Sequence, residues 1–361
     1  MNKKKDGCQN GFELLTKYRG AIMGIAALSI YYFHAWTPLT LEPQESSIFI
    51  LSFIEHVYKE IGFLGVDIFF LLSGIGLTFA IKKESLAKFY YRRMRRIILP
   101  FVTIGIIRGI TQNWSWATII GNITGFNFYA KDVNSFLWFV PAIITLYLFF
   151  PLYYKFFSKS QNKIIFTSSV IVIWLFITLL VRNTMRYDLF GFTNRIPVFA
   201  IGILIGYLIQ NHKGIVFSIH TYISLILILI LGLYLAYLTS YKEYELIVPM
   251  GNCFLPTLLI AVSSTFLIAK LLDMINNRFE KIGIILIKIL EFFGIISLEF
   301  YCVQSWFVDI ISLLLEDGWS KHLVNLSIFL LVTSTAWLMS VLFKYFWEFV
   351  EHLFRGKNKA S

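Results

Sequence analysis

Five ionisable residues lie inside long apolar stretches of this sequence: His34, Asp67, Arg108, Glu299 and Asp309. A charged group in apolar surroundings costs free energy, so such residues are functional-site hypotheses by default. His34 lies two residues before the end of a stretch at 20–36, and Asp67 lies six residues into the next stretch, 61–81. If these stretches are antiparallel helices, a rise of about 1.5 Å per residue places Asp67 about 9 Å from its helix end, near the level of His34.

His34 and Asp67 together suggest general-base catalysis. A carboxylate beside an imidazole selects the tautomer of the ring and makes it more basic, which suits the removal of a proton from a substrate. A structural interpretation is equally consistent with the spacing. In that interpretation His34 is an interfacial residue, and Asp67 is a helix cap or a hydrogen-bond partner.

A second candidate site is the dense cluster formed by Arg92, Arg93, Arg95 and Arg96. On a helix, residues three or four positions apart are neighbours, as Arg92 is with Arg95 and Arg96. Their guanidinium groups match the geometry of phosphate oxygens. Positive charge near a membrane also sets orientation, but lysines would serve that purpose equally well. We therefore favour phosphate binding, with anionic lipid head groups as the simplest competing ligand.

The composition indicates that these residues are positioned by helices in lipid. Of the 361 residues, 57% are hydrophobic, 18% are aromatic and only 15% are charged, whereas soluble domains carry roughly 25% charged residues. A soluble fold has too little interior for so much apolar surface. The number of cysteines is odd and their spacing fits no zinc pattern, so we expect no metal site. We also expect no permanently bound cofactor.

Ten apolar stretches approach the length of about 20 residues that a bilayer crossing needs. The sequence therefore predicts an all-α, polytopic membrane bundle of about ten transmembrane helices. The predicted spans are 20–36, 61–81, 97–112, 136–154, 164–181, 196–210, 218–239, 247–269, 292–315 and 323–343.

The distribution of charge predicts the orientation of these spans. The net charge is +11, and 24 of the 32 lysines and arginines fall in the segments that an internal N-terminus places inside. This bias predicts an N-in/C-in topology. It also argues against nucleic-acid binding, because the charge does not form one soluble patch. We divide the chain into a cytoplasmic tail at 1–17, a transmembrane domain at 18–347 and a cytoplasmic tail at 348–361.

Several motifs resemble the integral-membrane acyltransferase-3 family when they are taken in order. They cover most of the chain, and their joint order is more specific than any one of them. They are RGAIMGIA at 19–26 followed by His34, GVDIFFLLSG at 65–74, FYYRRMRRIILP at 89–100, LWFVPA at 137–142, RIPVFAIG at 195–202 and GIISLEFY at 294–301.

This resemblance implies a bacterial plasma-membrane enzyme that transfers an acyl group, with acetyl expected, from acyl-CoA to a hydroxyl of a cell-surface polysaccharide or lipid-linked sugar. It implies that His34 is catalytic, that Asp67 is the acidic position of the second helix, and that the arginine cluster binds the phosphates of CoA. The register of the Arg-x-x-Arg motif, 92/95 or 93/96, stays open. We expect Trp138, Arg195, Glu299 and Gln304 to line the substrate cavity.

One departure from the family concerns the ninth span. Many members carry a histidine shortly after the motif at 294–301, whereas this chain has Cys302, Val303 and Gln304. A role for that second histidine cannot be transferred, and Gln304 could simply form a hydrogen bond to a neighbouring helix.

Two other classes of function fit parts of the pattern. A transporter or flippase for a glycan intermediate would explain the intramembrane charges, the proline-broken helices and the abundant aromatic residues. It explains less well why His34 and Asp67 are expected near one face and the arginines near the other. A non-catalytic membrane scaffold would predict that no polar residue within the spans matters for function. The oligomeric state is not indicated by the sequence.

Overall fold

The computed structural model describes residues 9–42, 45–131, 137–181, 187–211, 216–241 and 254–357, and these are almost entirely helical. The first eight helices are α1 (Gly11–Lys17), α2 (Arg19–Ala35), α3 (Phe49–Ile61), α4 (Gly65–Ile81), α5 (Leu86–Thr111), α6 (Trp116–Ile123), α7 (Phe126–Ala130) and α8 (Phe139–Lys159). The remaining helices are α9 (Lys163–Val181), α10 (Tyr187–Thr193), α11 (Ile196–Gln210), α12 (Ile219–Tyr241), α13 (Phe254–Arg278), α14 (Glu280–Ile295), α15 (Ser297–Glu316) and α16 (Lys321–Lys357). Two short strands, β1 (Gln9–Asn10) and β2 (Val216–Phe217), pair antiparallel.

Each of the ten predicted spans overlaps a helix, although residue 136 of the fourth and residues 247–253 of the eighth lie outside the described part of the chain. This confirms the all-helical membrane architecture. Seven helical segments of the described chain are long and apolar enough to cross a bilayer, or eight if the bent α15 is one span. Two helices at predicted spans do not meet the criteria of length and hydropathy for a bilayer crossing. They are α2, which has 17 residues, and α5, whose first half carries the arginine cluster. The total of about ten crossings stays a prediction.

Two helices lie where the hydropathy pattern predicts connecting segments. α3 occupies the segment between the first two predicted spans and continues through a 3-10 turn, Gly62–Leu64, into α4. α14 occupies part of the segment before the ninth span, which begins at Ser297 rather than at residue 292. Both helices alternate charged and apolar residues, so neither forms a long uninterrupted apolar stretch.

Large apolar side chains are exposed along several helices, as is expected where lipid is the solvent. On α9, Val172 is 64% exposed and Leu180 is 67% exposed, and α12 exposes Leu227 and Ile230 in the same way. The protein is therefore a multi-pass membrane protein.

The chain forms two compact units. The first contains Met1–Ala26, Phe63–Leu86 and Thr145–Ile295, and the second contains Ala27–Gly62, Ala87–Ile144 and Ile296–Ser361. His34, the arginine cluster, Trp138, Glu299 and Gln304 belong to the second unit, whereas Asp67 and Arg195 belong to the first.

Helices α4 and α11 cross closely in the first unit because glycines let their backbones meet. A Cβ atom on Gly202 would lie 2.3 Å from the carbonyl oxygen of Leu71, and one on Gly74 would lie 2.5 Å from the carbonyl oxygen of Phe199. A Cβ on Gly206 would lie 2.2 Å from the Thr78 hydroxyl. Over the whole contact, from Asp67 beside Arg195 to Thr78 beside Gly206, the residue numbers of both helices rise, so the two helices are parallel.

Candidate active site

His34 lies in the last turn of α2 and is half-buried. Two contacts with α16, both within the second unit, show the direction in which α2 runs. The backbone of Thr37 bonds the Asn325 side chain, and the Tyr31 and Phe329 rings lie 5.4 Å apart. Residue numbers fall along α16 as they rise along α2, so these two helices are antiparallel.

Helix α15 runs parallel to α2, because it packs antiparallel to α16 across a short connection. The rings of Tyr31 and Phe300 lie 5.3 Å apart and mark the level at which α2 and α15 meet. His34 is three residues beyond Tyr31, and Gln304 is four residues beyond Phe300. At a rise of about 1.5 Å per residue, His34 and Gln304 therefore lie at nearly the same level on neighbouring helices.

Gln304 is the most unusual polar residue of the second unit. Its side chain is fully buried, and neither Oε1 nor Nε2 has a hydrogen-bond partner among the described residues. A buried polar group without a partner costs about 1–3 kcal/mol. The sequence-level interpretation of Gln304 as a bond to a neighbouring helix thus finds no support in the described chain.

Glu299 lies one turn below Gln304 on α15 and is 7% exposed. Its carboxylate interacts electrostatically with Arg96 of α5. One helix, α15, thus carries both a residue that interacts electrostatically with Arg96 and a residue level with His34. From Glu299 to Gln304 the helix rises only about 7.5 Å.

The four arginines of α5 have different surroundings. Arg95 forms an ion pair with Glu351 of α16 and lies over the Trp347 ring, 5.7 Å from its centroid. Arg93 lies over Phe89, at 5.1 Å. Arg92 and Arg96 are the most exposed of the four. The Arg95 guanidinium is therefore committed to a neighbouring helix.

Trp138 precedes α8 and is half-buried. The ring of the next residue, Phe139, packs 5.5 Å from Tyr301 of α15. This contact places Trp138 beside the helix that carries Glu299 and Gln304, as a lining residue should be. A shared cavity for these residues stays a prediction. Asp309 also lies on α15, but its side chain is outside the described part of the structure.

Asp67 has a partner that the sequence did not suggest. It is fully buried in the first turn of α4, and its Oδ1 lies 3.3 Å from Nε of Arg195, which is the N-cap residue of α11 and is also buried. Nη1 of Arg195 donates to the carbonyl oxygen of Gly191 at 2.7 Å. The predicted pairing of Asp67 with His34 stays a prediction, and the partners observed within the first unit are Arg195 and the Thr257 side chain.

Comparison with known proteins identifies the family that the chain resembles. The family model described as an acyltransferase domain, of the acyltransferase-3 type, matches residues 21–343, which include His34, Asp67, the arginine cluster and Gln304. No curated protein matches the chain, and no solved structure does. Within the described residues, no group of three His, Cys, Asp or Glu side chains could hold a metal ion.

Proposed function

The chain belongs to the acyltransferase-3 family, and from that premise we propose that it is a membrane O-acyltransferase. It moves an acyl group, most simply acetyl, from acyl-CoA to a hydroxyl of a cell-surface polysaccharide or a lipid-linked sugar. The observation that carries this proposal is that one compact unit contains His34, the arginine cluster and the buried Gln304 amide, which has no hydrogen-bond partner among the described residues.

We propose an N-in/C-in orientation in a bacterial plasma membrane. Alternating crossings require the first and tenth spans to be antiparallel and the second and sixth to be parallel. The directions of α2 against α16 and of α4 against α11 agree with that requirement. The arginine cluster then faces the cytoplasm, where acyl-CoA is made, and the His34 end of α2 faces outward.

The arginines bind the phosphates of CoA through charge-assisted hydrogen bonds. Arg92, Arg93 and Arg96 are the main phosphate ligands, since Arg95 already pairs with Glu351. Helix α15 then guides the thioester arm from the level of Arg96 towards Gln304. The rise from Glu299 to Gln304 is short, so the thioester arm has to span much less than the distance between the arginines and His34 that the sequence predicts.

His34 acts as the general base. It takes the proton of the acceptor hydroxyl as the acceptor oxygen forms a bond to the thioester carbonyl carbon. The tetrahedral intermediate collapses with cleavage of the carbon–sulfur bond, and the imidazolium returns the proton to the leaving thiolate. The products are an acyl ester and CoA. The Gln304 amide donates to the carbonyl oxygen while it carries negative charge.

The purified protein in detergent tests this proposal against the transporter alternative. With acetyl-CoA and a polyhydroxyl acceptor, we expect release of CoA thiol, and His34→Ala should lower the rate by about 10²–10⁴-fold. His322→Ala provides a matched control, because His322 is exposed at the start of α16. A wild-type protein that never cleaves the thioester would favour transport, and a fully active His34→Ala variant would exclude His34 as the base.

A further inference from the structure

Three side chains hold the segment that follows His34. This segment leaves the end of α2, where the last carbonyl groups of a helix lack partners within the helix. Two of the side chains, Glu55 and Lys59, come from α3, and the third, Asn325, comes from α16. All of them belong to the second unit, as His34 does.

Lys59 caps the end of α2. Its ammonium donates to the carbonyl oxygens of Tyr32 at 3.4 Å, Phe33 at 3.1 Å and Trp36. These three acceptors use all three donors of the ammonium group. A cation at a helix C-terminus also interacts favourably with the helix dipole. His34 lies between the bonded carbonyls, and Lys59 is close enough to interact with its ring electrostatically.

Glu55 binds the next part of the backbone. Its carboxylate accepts from the backbone N–H groups of Leu39 and Thr40, each at 2.9 Å, and from the Thr40 hydroxyl at 2.6 Å. The Trp36 indole N–H also donates to it at 3.2 Å. Glu55 and Lys59 are four residues apart on one face of α3, so a single helix face fixes both sides of the turn.

Asn325 completes this arrangement from a buried position on α16. Its side-chain oxygen accepts from the Thr37 N–H at 2.9 Å, and its amide donates to the Thr37 carbonyl oxygen at 2.7 Å. The backbone on both sides of His34 is thus held by hydrogen bonds from outside α2.

We propose that Lys59 is a positioning residue for His34, which fixes the backbone that carries the imidazole and so sets the distance between the base and the acceptor hydroxyl. This inference rests on the proposed function of His34. It assigns Lys59 no contact with the substrate. A misplacement of a reacting group by about 1 Å costs on the order of 10²-fold in rate, so loss of the Lys59 bonds should be visible in catalysis.

The test compares Lys59→Met with Lys59→Arg in steady-state kinetics of the purified protein. Met preserves the length of the side chain but removes the three donors, so kcat should fall by about 10²-fold while KM for acetyl-CoA stays unchanged. Arg retains donors for the carbonyl oxygens and should restore most of kcat. A merely structural role would lower the amount of folded protein without this split between kcat and KM.

Lys163→Met is the matched control. Lys163 also donates to carbonyl oxygens after a helix, those of Ser158 and Ser160, but it belongs to the first unit. Its substitution should leave kcat unchanged. Wild-type kcat in Lys59→Met, or an equal loss in Lys163→Met, would overturn the proposal.

Hydrogen exchange gives a readout that does not need activity. Amides of residues 34–40 should exchange faster in Lys59→Met than in wild type, and unchanged exchange would overturn the positioning role. If wild-type protein shows no acyl transfer but Lys59→Met speeds this exchange, the proposed function fails while the capping of α2 stands. If Lys59→Met does not fold, Lys59→Gln takes its place, because its side chain is neutral and one bond shorter. A wild-type kcat in folded Lys59→Gln or an inactive Lys59→Arg would each contradict the inference.

Discussion

Asp67 and Arg195 form a buried ion pair whose role can be separated from catalysis. Removal of one partner from such a pair leaves an uncompensated charge and costs about 3–5 kcal/mol. Arg195→Met should therefore lower the melting temperature in detergent strongly, and the double variant Asp67→Asn/Arg195→Met should recover much of the loss. The two side chains lie 3.3 Å apart, so the effects should not be additive.

Activity of the same double variant decides between the two roles of Asp67. If Asp67 only stabilises α4 against α11, the double variant regains acyl transfer together with stability. If Asp67 orients His34, stability returns but the rate stays low.

The sequence indicated that Asp67 matters because it is a carboxylate in an apolar stretch. It could not indicate the partner, because Arg195 lies far from Asp67 in the sequence and a sequence does not show which charged residues are close in space.

Gln304 provides a prediction in which stability and activity change in opposite directions. Its amide is buried without a partner among the described residues, so Gln304→Leu removes an unsatisfied group and should leave the melting temperature equal or higher. Loss of a donor to the developing oxyanion should lower kcat by about 10²–10³-fold. A variant that is more stable and fully active would show that the amide takes no part in the reaction.

At the level of helices, the crossing of α4 and α11 depends on glycine. Gly202→Ala would bring a Cβ atom 2.3 Å from a backbone oxygen, which cannot rotate away, so overpacking should cost about 1–3 kcal/mol. Gly20→Ala is the control, since its nearest neighbour is the flexible Glu291 side chain at 3.3 Å. Melting curves of the two variants measure the difference. Equal melting temperatures would mean that the helices can separate without cost.

The link between α5 and α16 bears on the register of the Arg-x-x-Arg motif, which stays a prediction. Four arginines in five residues allow two registers of the Arg-x-x-Arg motif, and hydropathy cannot choose between them. The ion pair of Arg95 with Glu351 favours the 93/96 register for phosphate binding. Arg93→Ala and Arg96→Ala should raise KM for acyl-CoA, whereas Arg95→Ala should lower stability with KM unchanged.

A charge swap tests this assignment of the arginines. Arg95→Glu should destabilise the protein by placing two carboxylates together, and Arg95→Glu/Glu351→Arg should restore the melting temperature. The KM for acyl-CoA should stay close to wild type in the swapped protein. A large rise in KM there would show that Arg95 binds phosphate itself.

Across the whole molecule, the sequence predicted the class of fold well because apolar length alone defines a membrane helix. The sequence did not predict the helices α3 and α14, because charged residues such as Glu55, Lys59 and Lys288 interrupt the apolar pattern there. It also could not place residues in the two units, since the second unit is assembled from three separated parts of the chain. The sequence analysis therefore did not identify Glu55 and Lys59 as functional candidates. Their spacing of four residues is typical of one face of an amphipathic helix and could have indicated them.

The topology of the whole chain is the last prediction, and it follows from charge and helix direction together. Most of the lysines and arginines fall on one side of the predicted spans, and an N-in orientation places that side in the cytoplasm. In a cysteine-free background, Asn113→Cys and Asp317→Cys should react with an impermeant thiol reagent in intact cells. Lys83→Cys and Gln161→Cys should react only after the membrane is permeabilised. Reaction of Lys83→Cys in intact cells would place the arginine cluster outside, away from cytoplasmic acyl-CoA, and would contradict both the orientation and the proposed route of the donor.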